Sequence, residues 1–277
     1  MSVEALLQPL QFPFMQNAYL AALLISPGAA MLSCFLVLKG WALLGDAASH
    51  ATMPGVVIAY LLGLPYGLGG FLAAMACALS VGFLASNSRI KADTAMGIVF
   101  SGMFALGLVI HAWTGSSIHL DHILFGNMLG IDRQELLTSG LIGLGVAAVL
   151  ALKWRDLLLF SFDPIQARAS GLRTGWLHYG LLVMLAGVIV AMLASVGLIL
   201  AVGLLIAPGA IAFLLARRFA AMMAVAVAVC LAATLGGVHA SFYLDSAPAP
   251  TIVLILTAMF LAAFARRMVV TRRASRA

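Results

Sequence analysis

The chain has 277 residues, of which 64% are hydrophobic and only 9% charged, and its mean hydropathy is +1.14. No soluble domain carries that balance, because it would lack the polar surface to cover itself, so composition points to a polytopic all-α membrane protein. The formal net charge of +6 is spread between apolar stretches instead of forming one patch, which fits membrane topology and excludes nucleic-acid binding. Cys34, Cys77 and Cys230 lie singly in apolar runs, and without paired spacing they read as small buried residues. No basic residue precedes Lys39, so no ordinary cleaved signal peptide is expected.

In chain order, residues 1–14 are amphipathic and broken by prolines, which predicts a short interfacial segment. Residues 15–38 are long enough to span a hydrocarbon core of about 30 Å. A second span holds Asp46 and His50 and ends at the turn Leu64-Pro65-Tyr66-Gly67. Spans over residues 68–85 and 94–113 follow, then the longest polar interruption, GSSIHLDHILFGNMLGIDRQE. A fifth span is expected over residues 136–152, then a polar block over 153–173. Residues 177–195 and 197–216 form two spans with almost nothing between them, and residues 219–237 and 251–264 complete the set. This count gives nine spans, with eight an equal alternative, in a single transmembrane domain over 1–277 that ends in a basic tail at 268–277. Arg89, Lys91, Lys153, Arg155, Arg168, Arg173, Arg217, Arg218 and the C-terminal cluster all fall on alternate loops. The positive-inside rule makes that side cytoplasmic, with the N-terminus outside and the C-terminus inside.

Asp46 and His50 are the candidate site. They lie four residues apart, so on a helix they share a face, and ionisable residues at membrane depth usually mark a pathway. Pro54 has no N–H to give the His50 carbonyl, so carboxylate, imidazole and a spare carbonyl fall in one segment, a set that suits manganese, iron or zinc. Two side chains are too few for a tight structural site but suit an ion in transit; the plainer alternative is a polar pair that holds helices together. On the outward loops, His111, His119, Asp121, His122, His239 and Asp245 could attract or relay a cation, although ordinary solvated loop residues would look the same. On the inner side, Asp163-Pro164 reads as a helix start and Gly171 as its end, forming a short cytoplasmic helix that could dock a partner. Pro208 should kink its span. There is no H-E-x-x-H, G-x-S-x-G or P-loop, so the chain is not expected to be an enzyme or to hydrolyse ATP itself.

GWALLGDAASHATMPGVVIAYLLG resembles the signature of metal-ion ABC-transporter permeases, the family serving manganese, iron and zinc uptake in bacteria. HILFGNMLGI, FDPIQARASGL and VGLILAVGLLIAPGAIAFLLARR agree in order and spacing, so the resemblance covers about residues 12–268. It implies a helical bundle of eight or nine spans in a bacterial inner membrane, forming a homodimer or paired permease. Two cytoplasmic ATPase subunits would dock on it, and an extracytoplasmic metal-binding protein would deliver the ion. Asp46 and His50 match the aspartate and histidine that line the family's ion pathway, and the segment with Asp163, Pro164, Ala167 and Gly171 matches the helix that fits into the ATPase. No cofactor is expected beyond the transported metal, with ATP used by the partner. The stretch Leu124 to Asn127, preceded by His122, looks closer to manganese and iron members than to zinc members. A zinc importer of the same family is the alternative. An ion-coupled secondary transporter or an intramembrane metalloenzyme fits the resemblance less well.

Overall fold

The structure, a computed structural model, describes residues 8–114 and 128–274. After a 3-10 turn at Gln8–Gln11, the chain forms α1 (Pro13–Leu38), α2 (Ala42–Leu61), α3 (Tyr66–Asn87), α4 (Ala92–Thr114), α5 (Arg133–Phe162), the short α6 (Pro164–Ala169), α7 (Thr174–Ser195), α8 (Gly197–Leu215), α9 (Phe219–Leu244) and α10 (Pro248–Ala274). Eight of these are long and apolar enough to cross a membrane. The remaining long helix, α2, falls short in apolarity because it carries Asp46, Ser49, His50, Thr52 and Pro54. It nevertheless packs inside the bundle against α1, α3, α4, α7 and α8. Nine long helices are thus present among the described residues, eight of them apolar enough to span by this measure.

Glycines set the closest crossings. A Cβ on Gly55 of α2 would run into the carbonyl of Gly69 on α3, and a Cβ on Gly107 of α4 would sit 2.8 Å from both Met53 Cγ and Pro54 N of α2. Small residues thus bring α2 into direct backbone contact with both neighbours, the mode of packing that membrane helices favour. α1 and α5 meet in the same way: a Cβ on Gly143 would lie 2.7 Å from the Leu24 carbonyl oxygen. The buried centre is lined by Phe35, Leu32, Ile25, Leu185, Ile189, Met192, Leu200 and Leu204. Cys34, Cys77 and Cys230 are buried free thiols, as expected.

Three helices run further than their sequence suggests: α9 passes its expected end at 237 and continues to Leu244, so His239 lies within the helix and not on a loop. α5 continues through Lys153, Arg155 and Asp156 to Phe162, where a polar block was expected after residue 152. α10 likewise passes its predicted end at 264 and continues through Arg266 and Arg267. A helix satisfies its own backbone hydrogen bonds, so it can leave the membrane carrying charges without unravelling; charge marks the membrane boundary, not the helix end. The break between α7 and α8 is a single residue, Val196, followed by Gly197 at φ 78°. Ser195 Oγ there lies 2.8 Å from Ser139 Oγ of α5. Pro208 lies within α8, where a Cβ on the adjacent Gly209 would come within 2.6 Å of the Ser33 carbonyl oxygen of α1.

Candidate metal site on the second helix

Asp46 and His50 meet across one turn of α2. His50 Nδ1 is 3.1 Å from Asp46 Oδ1 and 3.1 Å from the Asp46 carbonyl oxygen. Both partners are acceptors, so Nδ1 must carry a proton, which it donates to them. That fixes the tautomer and leaves Nε2 with its lone pair free to face an ion, as in the carboxylate–histidine–metal arrangement. Among the described residues, no hydrogen bond is recorded to Nε2 or to the second Asp46 oxygen. The ring of His50 is held edge-on by Phe100 and Phe104 of α4, with centroids 5.1 and 5.8 Å away. The opposite face of α2 is buried and small. Ser49 there returns its hydroxyl to Gly45 O at 2.7 Å, and Thr52 donates to Ser49 O at 2.6 Å.

The pair is not covered. The His50 and Asp46 side chains keep 27% and 37% of their exposure. In a lipid-embedded bundle an ionisable pair this open faces either an aqueous path or another protein surface, since facing hydrocarbon would cost several kcal/mol. No cluster of three or more His, Cys, Asp and Glu side chains gathers anywhere among the described residues. Among the described residues, two metal-ligating side chains meet at this place and no third joins them.

The other predicted residues are placed as follows. His119, Asp121 and His122, with the stretch from Leu124 to Asn127, lie outside the described residues. His111 is in the last turn of α4. His239 accepts or donates a 2.9 Å hydrogen bond with Tyr19 of α1 and packs on Tyr243, while Asp245 caps α9 in the left-handed conformation at φ 49°. Among the described residues, neither His239 nor Asp245 belongs to a group of three or more His, Cys, Asp and Glu side chains. Asp163 caps α6 as its sequence suggested: its Oδ1 accepts from Ile165 N at 3.0 Å and Gln166 N at 2.9 Å. Ala167 is fully buried, and Gly171 takes φ 81° just beyond the helix.

Sequence reasoning missed the aromatic clamp on His50 and a second cluster at the start of α2. There Lys39 Nζ lies 4.0 Å from the Phe160 ring centroid and 4.6 Å from that of Trp41, and Trp41 packs edge-on against His178 at 5.5 Å. Burial pushes the Lys39 ammonium below the usual lysine range. Trp41 is the residue before α2 and Phe160 is in the last turn of α5, so this cation–π contact joins the start of α2 to the helix that leads into α6. The four-residue spacing of Phe100 and Phe104 was a readable signal, but nothing in sequence said which helix it would face.

A family model described as "ABC 3 transport family" matches residues 11–267. The chain belongs to the ABC 3 transport family. The resemblance carried by its motifs is borne out: this ABC 3 chain is a member of the metal-ion ABC permeases, a transport family. It is 51% identical over 260 residues to the "Probable iron transport system membrane protein" of Haemophilus influenzae, covering 94% of this chain and 96% of that one. It is 42% identical over 258 residues to the "Manganese transport system membrane protein MntB" of Synechocystis, covering 93% and 84%. Among solved structures, "PsaBC from Streptococcus pneumoniae in complex with Fab" superposes with a TM-score of 0.85 at 34% identity, covering 95% of each chain.

Proposed function

We propose that this permease imports manganese or iron and that Asp46 and His50 hold the ion as it passes. The observation that carries the reading is the paired, half-open Asp46 and His50 with Nε2 and a carboxylate oxygen unengaged. The names of the relatives above support these two metals, and the donor set of imidazole and carboxylate suits both. Two side chains leave a divalent ion under-coordinated. A second copy of the chain, or a paired permease, placing its own pair opposite would supply four ligands and would also cover the exposed acid.

ATP is consumed by partner ATPase subunits that engage α6. Ile165 on that short helix is 83% exposed and Phe162 just before it 68%, an apolar pair that suits a groove on a soluble partner. An extracytoplasmic binding protein delivers the ion, with His119, Asp121, His122, His239 and Asp245 as an attracting entrance. The chain sits in the inner membrane as one transmembrane domain over 1–277. Residues 1–14 lie at the outer interface and the basic C-terminus at 268–277 is cytoplasmic.

The test is uptake of manganese, iron and zinc by transport-deficient cells supplied with the ATPase and binding protein, with Asp46→Ala as control. Manganese or iron uptake that is lost in the control supports the reading. Zinc uptake alone would keep the mechanism and overturn the metal. Uptake that survives in Asp46→Ala would place the ion path elsewhere.

A further inference from the structure

At the inner end of the bundle, where α8 ends and α10 leaves the membrane, a recess of about 100 Å³ is lined by Leu214, Leu215, Ala216, Arg217, Arg266, Arg267 and Val270. Three arginines therefore contribute to the lining of one small recess. Nothing in the described part of the chain neutralises them. Asp46 is paired with His50 and Lys153 with Asp156, and neither pair involves these three arginines. On the same side, Asp156 is taken by Lys153, Asp163 caps α6 and Asp93 accepts from Thr94 N at 2.9 Å. Three fixed positive charges held this close repel one another, and a bound anion would relieve that repulsion.

Apolar side chains within one or two helical turns of these arginines are open. Phe213, one turn before Arg217, is 56% exposed; Leu261 and Phe264, one to two turns before Arg267, are 59% and 45% exposed. Beyond the arginines, α10 continues with Met268, Val269 and Val270, each more than two-fifths exposed. Exposed apolar side chains close to a cluster of arginines match the two parts of a phospholipid, with acyl chains at Phe213, Leu261 and Phe264 and the phosphate at the arginines. Guanidinium groups also match phosphate oxygens in a bidentate way. A soluble acidic partner would meet the arginines but would leave those side chains bare.

We propose that Arg217, Arg266 and Arg267 form a binding site for the headgroup of an anionic phospholipid in the inner leaflet. The proposal rests on the membrane orientation given above, but not on the metal or on Asp46.

The experiment is native mass spectrometry of the purified full-length permease released from micelles containing phosphatidylglycerol, phosphatidylethanolamine or both. Inorganic phosphate is titrated in as competitor. The wild type is expected to retain phosphatidylglycerol in preference to phosphatidylethanolamine, with millimolar phosphate failing to displace it. Retention should fall about fivefold for each arginine changed to glutamine, and on the order of a hundredfold in R217Q/R266Q/R267Q, from the usual contribution of a basic residue at an anionic membrane surface. The charge-conserving R217K/R266K/R267K should keep most of the preference, which separates loss of the site from loss of the fold. Equal retention of phosphatidylglycerol in wild type and the triple glutamine variant would overturn the proposal. So would displacement by inorganic phosphate, which would make this a site for a soluble anion. A triple glutamine variant that keeps its lipid but no longer co-purifies with the ATPase would overturn it in favour of a protein partner. None of these readings requires transport, so failure of the metal assignment would leave the result intact.

Discussion

Replacing Asp46 tests the site most directly. Its side chain makes one 3.1 Å contact, to His50 Nδ1, and its own carbonyl oxygen remains as a second acceptor at the same distance. Asp46→Ala therefore removes one charge-assisted hydrogen bond and a carboxylate, and leaves the imidazole held by the backbone alone. Loss of a carboxylate that orients a ligating histidine typically costs about 10–100-fold in metal affinity, and loss of a direct ligand costs more. The expected result is at least a tenfold loss of uptake at limiting manganese, with Asp46→Asn intermediate because it keeps an acceptor oxygen. Position 46 is half exposed and α2 is anchored elsewhere, at Gly55–Gly69 and at Gly107, so the variants should reach the membrane and elute from size exclusion like wild type. Initial rates across a range of metal concentrations, normalised to membrane protein, measure the effect. If Asp46 and His50 act as one unit, Asp46→Ala/His50→Ala should be hardly worse than the more damaging single change. Uptake by Asp46→Ala within twofold of wild type, with an unchanged concentration dependence, would refute the assignment.

Uptake should decline as the pH falls. Nδ1 already carries a proton, so protonation of Nε2 removes the lone pair and adds a repelling charge, and free imidazole titrates near about 6.5. A severalfold lower rate at pH 5 than at pH 7.5 is expected, and a flat profile would count against His50 as a ligand. Gly55→Val should lower the thermal stability of the purified permease, since its Cβ would meet the Gly69 carbonyl and lie 2.6 Å from Ala73 Cβ; overpacking of this kind costs about 1–3 kcal/mol. Gly97→Ala, with nothing within 4 Å, should not lower it; if the two variants melt alike, the crossing is not tight. Asp163→Ala removes the cap on α6, worth about 1 kcal/mol, and should weaken metal-stimulated ATP hydrolysis by the assembled transporter, while Asp163→Asn should retain it. Full activity in the alanine variant would separate α6 from ATPase coupling.

The parts of this molecule that sequence made legible are those governed by local rules. The apolar runs located the long helices, the Asp163-Pro164 pair announced a capped turn, and the spacing of Asp46 and His50 put them in contact. The non-local parts were not readable. Nothing in the sequence placed Phe100 and Phe104 on His50, because facing between α2 and α4 is set by Gly107 lying against Met53 and Pro54. The reach of Lys39 to Phe160 joins residues far apart in the chain. The ends of α5 and α10 were misjudged because Lys153, Arg155, Arg266 and Arg267 were taken to end the helices they decorate.

The unexpected length of α5 gives the bundle a lever. Thirty residues make a rod of about 45 Å, against a hydrocarbon core of about 30 Å. Its tightest contact is the Gly143 crossing with α1, which lies roughly 15 Å from Arg133 and roughly 29 Å from Phe162. A rod pivoting there moves its Phe162 end about twice as far as its Arg133 end. A displacement delivered at α6 would therefore arrive at the Arg133 end about half as large, with correspondingly greater force. Such gearing trades distance for leverage, which suits a machine that must part tightly packed helices only far enough for a single ion.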